Sequence, residues 1–395
     1  MRETRKKTTG FKNYLFTIHE LYFADDGLLL AHSEEDTVEA IGQLQITAGS
    51  MGLDINISKS SVIIFNEKKQ PEEIKEIKVT NKIKYLGVWI NNSKNMFKEH
   101  KKETLKKAEK LANITYPIIG KSCNKVMIGK TFWKCICLPG ILFASAIIPY
   151  NKTEIAKLQR TENKVFRQIL GAPKYTPICT LRGEIGASLM ETRITKSRLQ
   201  YLRSTLTLGS NGKFRNDLAR TVIQDMDARG FGWSKENGRI MDSIKVDKER
   251  IITMEKEELD DEIKIKDEKE WKSELEKKKS IRIYKVMKNV IQEENYDNTF
   301  ASILEFRWRT NTLPLGRRLK KENGKCPTCQ TGEDELNHLT FKCPTYEHLR
   351  PQELKNIKDE ELDQAMLKFL RGNKEKIRKV MTDIWKLRTK LVQKS

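Results

Sequence analysis

Two stretches of this chain combine residue types and spacings that can do chemistry. Tyr22-Phe23-Ala24-Asp25-Asp26-Gly27 sets two adjacent carboxylates between the apolar runs Leu21–Ala24 and Leu28–Ala31. Asp-Gly between such runs reads as a hairpin turn, and a turn presents carboxylate oxygens where no backbone blocks them. Mg²⁺ takes one or two carboxylates plus substrate phosphates, and two-metal phosphoryl transfer uses such groups to align the attacking and leaving oxygens. The alternative is an ordinary Asp-Gly turn in which Asp25 serves only as a local cap.

The second stretch is Cys326-x2-Cys329-x8-His338-x4-Cys343. Two thiolates separated by two residues chelate one ion from a turn, and Cys326-Pro327-Thr328-Cys329 has the turn chemistry. His338 and Cys343 complete a three-sulfur, one-nitrogen tetrahedron, which suits structural Zn²⁺ and leaves no position open for catalysis. The alternative is a set of scattered core cysteines. Cys123, Cys135, Cys137 and Cys179 show no ligand spacing and are expected to be buried thiols.

These groups need elements to hold them. Before residue 92 the pattern predicts short strands, including Val62–Phe65 and Tyr85–Ile90, around one helix over Asp36–Met51 that Gly52 terminates. From Asn95 the pattern turns helical. Lys94–Lys134 carries eleven Lys against three Glu, a net +8, with Phe97, Leu105, Ala108, Leu111 and Ala112 on the opposite face. A run so one-signed reads either as a solvated face or as a surface that tracks phosphates through Lys101, Lys102, Lys106 and Lys107. Lys245–Lys279 holds 24 charged residues in 35, of mixed sign, and is expected to be an exposed helix or a hinge.

Over the whole chain, 75 Lys+Arg against 54 Asp+Glu give a net charge of +21 in 395 residues. Such a field points to a polyanionic partner, most often nucleic acid. No apolar run reaches the ~20 residues that a membrane span needs, because Cys135–Tyr150 is shorter and is broken by Pro139-Gly140. The basic start Met1–Lys7 leads into polar Thr8-Thr9-Gly10 rather than an apolar signal core, and the cysteines number seven. The expected setting is therefore intracellular, cytoplasm or nucleus.

Three motifs, taken in order, resemble those of reverse transcriptases. Phe23-Ala24-Asp25-Asp26 resembles the Tyr/Phe-Ala-Asp-Asp motif. Gly52-Leu53-Asp54-Ile55-Asn56-Ile57-Ser58-Lys59-Ser60 is similar to the fourth palm motif, and Ile83-Lys84-Tyr85-Leu86-Gly87-Val88 to the hairpin that grips the primer terminus. The cysteine–histidine pattern, preceded by Arg307-Trp308-Arg309-Thr310-Asn311-Thr312-Leu313, resembles the C-terminal knuckle of non-LTR (LINE-type) retrotransposon proteins. Asn163–Gly171 and Leu181–Gly186 are similar to the stretch that follows the thumb there, so the resemblance runs from about residue 20 to 350.

The resemblance implies an RNA-directed DNA polymerase, a Mg²⁺-dependent nucleotidyltransferase working on an RNA template and a DNA primer or target. Asp25 would ligate the metal, with Asp26 its less directly ligating neighbour. Lys59 would stand near the departing pyrophosphate, and Tyr85, Leu86 and Gly87 would form the primer grip. Arg307, Arg309, Arg317 and Arg318 would contact phosphates around Trp308, itself either a stacking platform or a core anchor.

In that family a palm strand with a further metal-binding Asp precedes the Ala-Asp-Asp hairpin, whereas 24 residues precede Asp25 here, with Glu3 and Glu20 as candidates. Neither can present a carboxylate from the opposite side. The expected architecture is α+β: a truncated polymerase palm over 1–92, a helical thumb over 93–170 and a helical, charged linker region over 171–300. A basic segment with the zinc knuckle over 301–350 and a Lys-rich helical tail over 351–395 complete it. The expected behaviour is that of a reverse transcriptase fragment, inactive alone. The alternative is a non-catalytic remnant that binds nucleic acid through the basic thumb and the knuckle.

Overall fold

Short apolar runs punctuated by turn residues close into hairpins, and the described residues up to Asn91 contain four. The computed structural model describes residues 10–12, 16–67, 69–121, 124–208, 216–230, 232–297, 299–316 and 324–394. It divides into two units, one built from 1–107, 143–154 and 197–255, the other from 108–142, 155–196 and 256–395.

In the first unit, Phe11–Lys12 pairs with Thr17–Ile18, Glu20–Phe23 with Asp26–Leu29, Glu73–Ile74 with Ile77–Lys78, and Lys82–Tyr85 with Val88–Asn91. Each pair is its own antiparallel two-stranded sheet, and among the described residues no sheet is wider. Mixed helix and strand content agrees with an α+β class. Two expected strands differ. Val62–Phe65 contributes only a bridge from Val62 to Val79. Tyr85–Ile90 is a hairpin whose turn, Leu86–Gly87, takes φ of +47° and +83°. Left-handed conformation at both central residues is the type I′ requirement. The apolar alternation of Val88 and Ile90 had run the two sides together.

The Glu34–Ser50 helix starts where Ser33 Oγ accepts from the Asp36 N–H at 3.1 Å, two residues earlier than the apolar spacing suggested. Gly52, at φ +72°, ends it as expected. Its inward residue Ile41 meets Ile74 and Ile77, with Leu29, Val38, Ile57 and Val62 packed around them. This small core fixes the strand that carries Asp26 and the turn that carries Lys59.

Helices dominate the rest. Lys98–Gly120 buries Ala108 and Ala112. The Lys256–Glu276 helix corrects the reading of the charged stretch as exposed helix or hinge: Leu259, Ile263, Asp267, Trp271 and Leu275, every fourth residue, are all buried. A stripe one residue wide suffices to bury a helix whose other faces are charged, and composition averages such a stripe away. Trp271 Nε1 donates to the Cys179 carbonyl at 2.7 Å, and Arg182 Nη2 to Asp267 Oδ1 at 2.7 Å. Gly183 is required here, since a Cβ would lie 2.4 Å from the Tyr284 hydroxyl and 2.9 Å from Trp271.

Cys137 and Cys179 are buried as expected, whereas Cys135 is exposed. The π-helical turn Trp133–Cys137 points Cys137 inward beside Thr115, which leaves Cys135, two residues back, outward. Cys123 lies outside the described residues. The C-terminal helices Leu362–Arg371 and Lys374–Lys394 place Met366, Met381 and Ile384 in one core with Leu304, Trp308, Leu339, Phe341 and Tyr346. Among the described residues no helix is long and apolar enough to cross a membrane.

Candidate metal centre and nucleic-acid surface

The carboxylate hairpin turns at Ala24–Asp25, two residues earlier than Asp-Gly turn chemistry suggests, with Phe23 opposite Asp26 and Tyr22 opposite Gly27. Ala24 takes the left-handed conformation at φ +54°, and a Cβ on Gly27 would lie 2.8 Å from the Tyr22 ring. Gly27 therefore lets Tyr22 lie across the strand pair, and Asp25 and Asp26 both face solvent. Among the described residues no group of three or more acidic or other metal-binding side chains gathers around them.

The Lys59 turn is built by Asn56. Its Oδ1 accepts from the Lys59 N–H at 3.1 Å and from Ser58 Oγ at 2.8 Å, and its carbonyl accepts from Ser60 Oγ at 2.9 Å. Lys59 is exposed on this 3₁₀ turn. The Tyr85 hydroxyl donates at 3.5 Å to the carbonyl of Leu21, on the strand that leads to Asp25. Leu86 and Gly87 lie exposed at the tip of the same hairpin as Tyr85.

That hairpin also adjoins the lysine helix. Lys82 pairs with Glu99 at 3.2 Å, and Asn91 Oδ1 accepts from the Glu99 N–H at 3.2 Å. The Lys82 hydrogen bond, aided by the charges of Lys102 and Lys106, holds the Glu99 carboxyl below its ordinary range. Burial, with help from the charges of Lys107 and Lys84, pulls the His100 imidazole below its own. Lys82 and Lys84 lie 5.1 Å and 5.9 Å from the centre of the Trp89 ring, an aromatic element of this surface that no sequence motif marked. Lys102, Lys106 and Lys107 are exposed. Lys101 is not: it is 7% exposed and paired with Glu154 at 3.1 Å, near the Tyr150 ring. Its assignment to the phosphate-contacting face is corrected, because one helical position in every turn must face the core.

The second unit holds the cysteine–histidine cluster. Cys326 and Cys329 sit on a turn closed by the Gln330 N–H donating to the Cys326 carbonyl at 2.9 Å, and the Cys326 N–H donates to Gly332 at 2.8 Å. A Cβ on Gly332 would lie 2.5 Å from the His338 ring, so glycine makes room for the imidazole. His338 and Cys343 are five residues apart, and the π-helical turn His338–Lys342 brings them to one side through the Cys343 N–H donating to the His338 carbonyl at 2.8 Å.

One ligand atom from each of the four residues lies within 4.8 Å of the others. Cys326 Sγ and Cys343 Sγ are 3.9 Å apart, and Cys329 Sγ lies 3.2 Å from His338 Nε2. Tetrahedral zinc with Zn–S bonds of about 2.3 Å sets sulfurs about 3.8 Å apart, so the donor set fits that ion. The hydrogen bond from Cys343 drives the Cys326 thiol far below its ordinary pKa and pushes Cys343 up, so the pair shares one proton. Burial works to raise Cys329, but hydrogen bonds from Thr331 and His338 carry it lower. The same thiolates raise His338. A dication replaces those shared protons, which is how metal binding releases protons from such sites.

The arginines beside the cluster are corrected. Arg309 is 8% exposed and bonded to Glu184 at 3.4 Å and Glu294 at 3.3 Å, while Arg307 donates twice to the Gly171 carbonyl, at 2.8 and 3.2 Å. Both guanidinia are committed inside the protein rather than offered to phosphate. Trp308 is a core anchor, 1% exposed, its Nε1 donating to Thr340 Oγ1 at 3.0 Å. Arg317 and Arg318 lie outside the described residues. No known protein family matches the chain, and no curated protein matches it either.

Proposed function

We propose that this chain is part of a non-LTR retrotransposon reverse transcriptase that binds an RNA template and a DNA primer or target. The observation that carries the reading is the 3.5 Å bond from Tyr85 to Leu21, which draws the Tyr-Leu-Gly hairpin against the Ala-Asp-Asp hairpin across 64 residues of sequence. A polymerase needs that adjacency, because the primer terminus must meet the metal-bound phosphates. Exposed Asp25, Asp26 and Lys59 suit the same site, the first two as Mg²⁺ ligands and the third as a counter-charge for departing pyrophosphate. Zinc in the knuckle is structural and holds the C-terminal core together.

Two carboxylates supply one side of a two-metal clamp, and a further carboxylate opposite them completes it. The purified chain is therefore expected to bind primed RNA in a salt-dependent way without extending the primer. Mg²⁺-dependent incorporation of deoxynucleotides that Asp25→Asn abolishes would overturn the inactive part of this reading. Failure to bind primed RNA or single strands at low salt would overturn all of it. The second reading, a binding module without chemistry, is favoured by the exposed Lys82, Lys84, Lys102, Lys106 and Lys107 beside one hairpin, and the incorporation assay separates the two.

A further inference from the structure

The Lys82–Tyr85 and Val88–Asn91 strands pair so that Lys84 stands opposite Trp89 and Lys82 opposite Asn91. Residues directly opposite in an antiparallel pair share a face, as do residues two apart on one strand. Lys82, Lys84, Trp89 and Asn91 therefore share one face, and Ile83, Tyr85, Val88 and Ile90 the other. Burial of the apolar face needs no tryptophan on the basic one. The Trp89 ring is half-buried, with Lys82 Nζ 5.1 Å and Lys84 Nζ 5.9 Å from its centre. Trp133, Trp233, Trp271 and Trp308 each donate the indole N–H to an acceptor inside the protein. Trp89 has no such acceptor among the described residues, and its Nε1 is not sealed from solvent either.

We propose that Trp89 is a stacking platform for one unpaired base of a single-stranded nucleic acid. The inference rests on the nucleic-acid reading above and adds a base-binding position to a surface argued so far from charge. Lys84 is exposed and has no carboxylate partner among the described residues. Lys82 is paired with Glu99 at 3.2 Å, yet 47% of its side chain is exposed. Exposed Lys102 and Lys106, close enough to Glu99 to act on its charge, extend the cationic surface.

Magnitudes favour a base over the lysines as the partner of the ring. A cation over an exposed ring is worth about two- to fivefold in an equilibrium constant, and an exposed ion pair such as Lys82–Glu99 about as much or less. A stacked base contributes about fivefold to a hundredfold. The base therefore takes the ring, and the two ammonium groups turn to the phosphates on either side of it. Bases stacked inside a duplex present no free face, so the site selects single strands.

The test compares a short unstructured oligonucleotide, its abasic counterpart of equal length and a duplex of the same sequence. The base-bearing strand is expected to bind roughly tenfold more tightly than the abasic one. Trp89→Leu should cut that ratio at least about fivefold and leave abasic and duplex affinities unchanged. Trp89→Phe, which keeps an aromatic face, should retain the ratio. Equal affinity for base-bearing and abasic strands, a ratio that survives Trp89→Leu, or a ratio that Trp89→Phe also loses each overturns the proposal. So does a loss that falls equally on all three ligands, because Trp89 would then only support the lysines.

If Trp89→Leu does not fold, 5-iodouridine placed in the strand decides on the wild-type chain. Irradiation joins that base to an aromatic ring on which it stacks, and the adduct is expected at Trp89. Adducts confined to other residues overturn the proposal and leave the nucleic-acid reading intact. Binding of none of the three ligands overturns both.

Discussion

Arg388 on the C-terminal helix donates to Asp334 Oδ2 at 2.7 Å, with the two side chains only 4% and 2% exposed. The same oxygen accepts from the Gly316 N–H at 2.7 Å, so one carboxylate joins the last helix to the segment between two of the zinc ligands. Removing one member of a buried ion pair strands the other charge in a poor solvent. Arg388→Met is therefore expected to lower stability by about 3–5 kcal/mol, and pairing it with Asp334→Asn should recover a large part. Chemical denaturation of the two variants checks this. A loss under 1 kcal/mol for the single change would mean that the pair is not buried in solution.

Zinc removal should reach beyond the knuckle. Cys326, Cys343 and Tyr346 share one apolar core with Met381 and Ile384 of the C-terminal helix. One equivalent of zinc is expected per chain, and Cys326→Ser or a chelator should release it and loosen residues 324–349 together with the 374–394 helix. Hydrogen exchange reads both segments at once. Exchange that rises in the knuckle alone would show that the shared core stands without the metal.

The acid limb of stability follows from two carboxylates. Burial acts to raise the Asp297 carboxyl, but hydrogen bonds from Thr299 and the Arg378 charge carry it below its ordinary value. Glu294 is lowered in the same net sense, with burial outweighed by Lys288 and Arg309. A group whose folded pKa is depressed binds its proton more weakly in the folded chain than in the unfolded one. Its stabilisation is complete above the unfolded pKa, about 4, and is lost as pH falls through the folded value. The thermal midpoint should be insensitive to this pair between pH 7 and 5 and drop below about pH 4. Asp297→Asn with Glu294→Gln should lower it at pH 7 and flatten the acid limb, and an unchanged limb would assign acid sensitivity to other groups.

How much of this was legible in the sequence depended on how local the cause was. The Asp25–Gly27 hairpin, the Gly52 stop and the Cys326–Cys343 ligand set are encoded within a few residues, and the structure contains all three. The burial of Lys101, Arg307 and Arg309 was not legible, because their partners Glu154, Gly171, Glu184 and Glu294 lie between 15 and 136 residues away. A basic residue on a basic helix carries no local mark of an acidic partner elsewhere. Asp267 was hidden for the same reason: its partner Arg182 is 85 residues distant, and neighbouring charges masked the four-residue stripe it belongs to.

The split among the lysines of one helix gives the sharpest test of the nucleic-acid surface. Lys102, Lys106 and Lys107 are exposed, whereas Lys101 is buried against Glu154. Reversing the three exposed residues to Glu should weaken binding of single-stranded RNA and reduce the slope of affinity against salt, since every phosphate of a single strand that is no longer neutralised takes about 0.7 unit off that slope. Stability should hardly change, because exposed positions away from caps and cores shift it by ~0.5 kcal/mol or less. Lys101→Met should do the reverse, lowering stability by leaving Glu154 without its partner while the salt slope stays near the wild-type value. Measuring slope and thermal midpoint for both variants separates the roles. If Lys101→Met flattens the slope as strongly as the triple reversal, the inward placement of Lys101 is wrong. If neither variant changes the slope, the phosphate-tracking surface lies elsewhere on the chain.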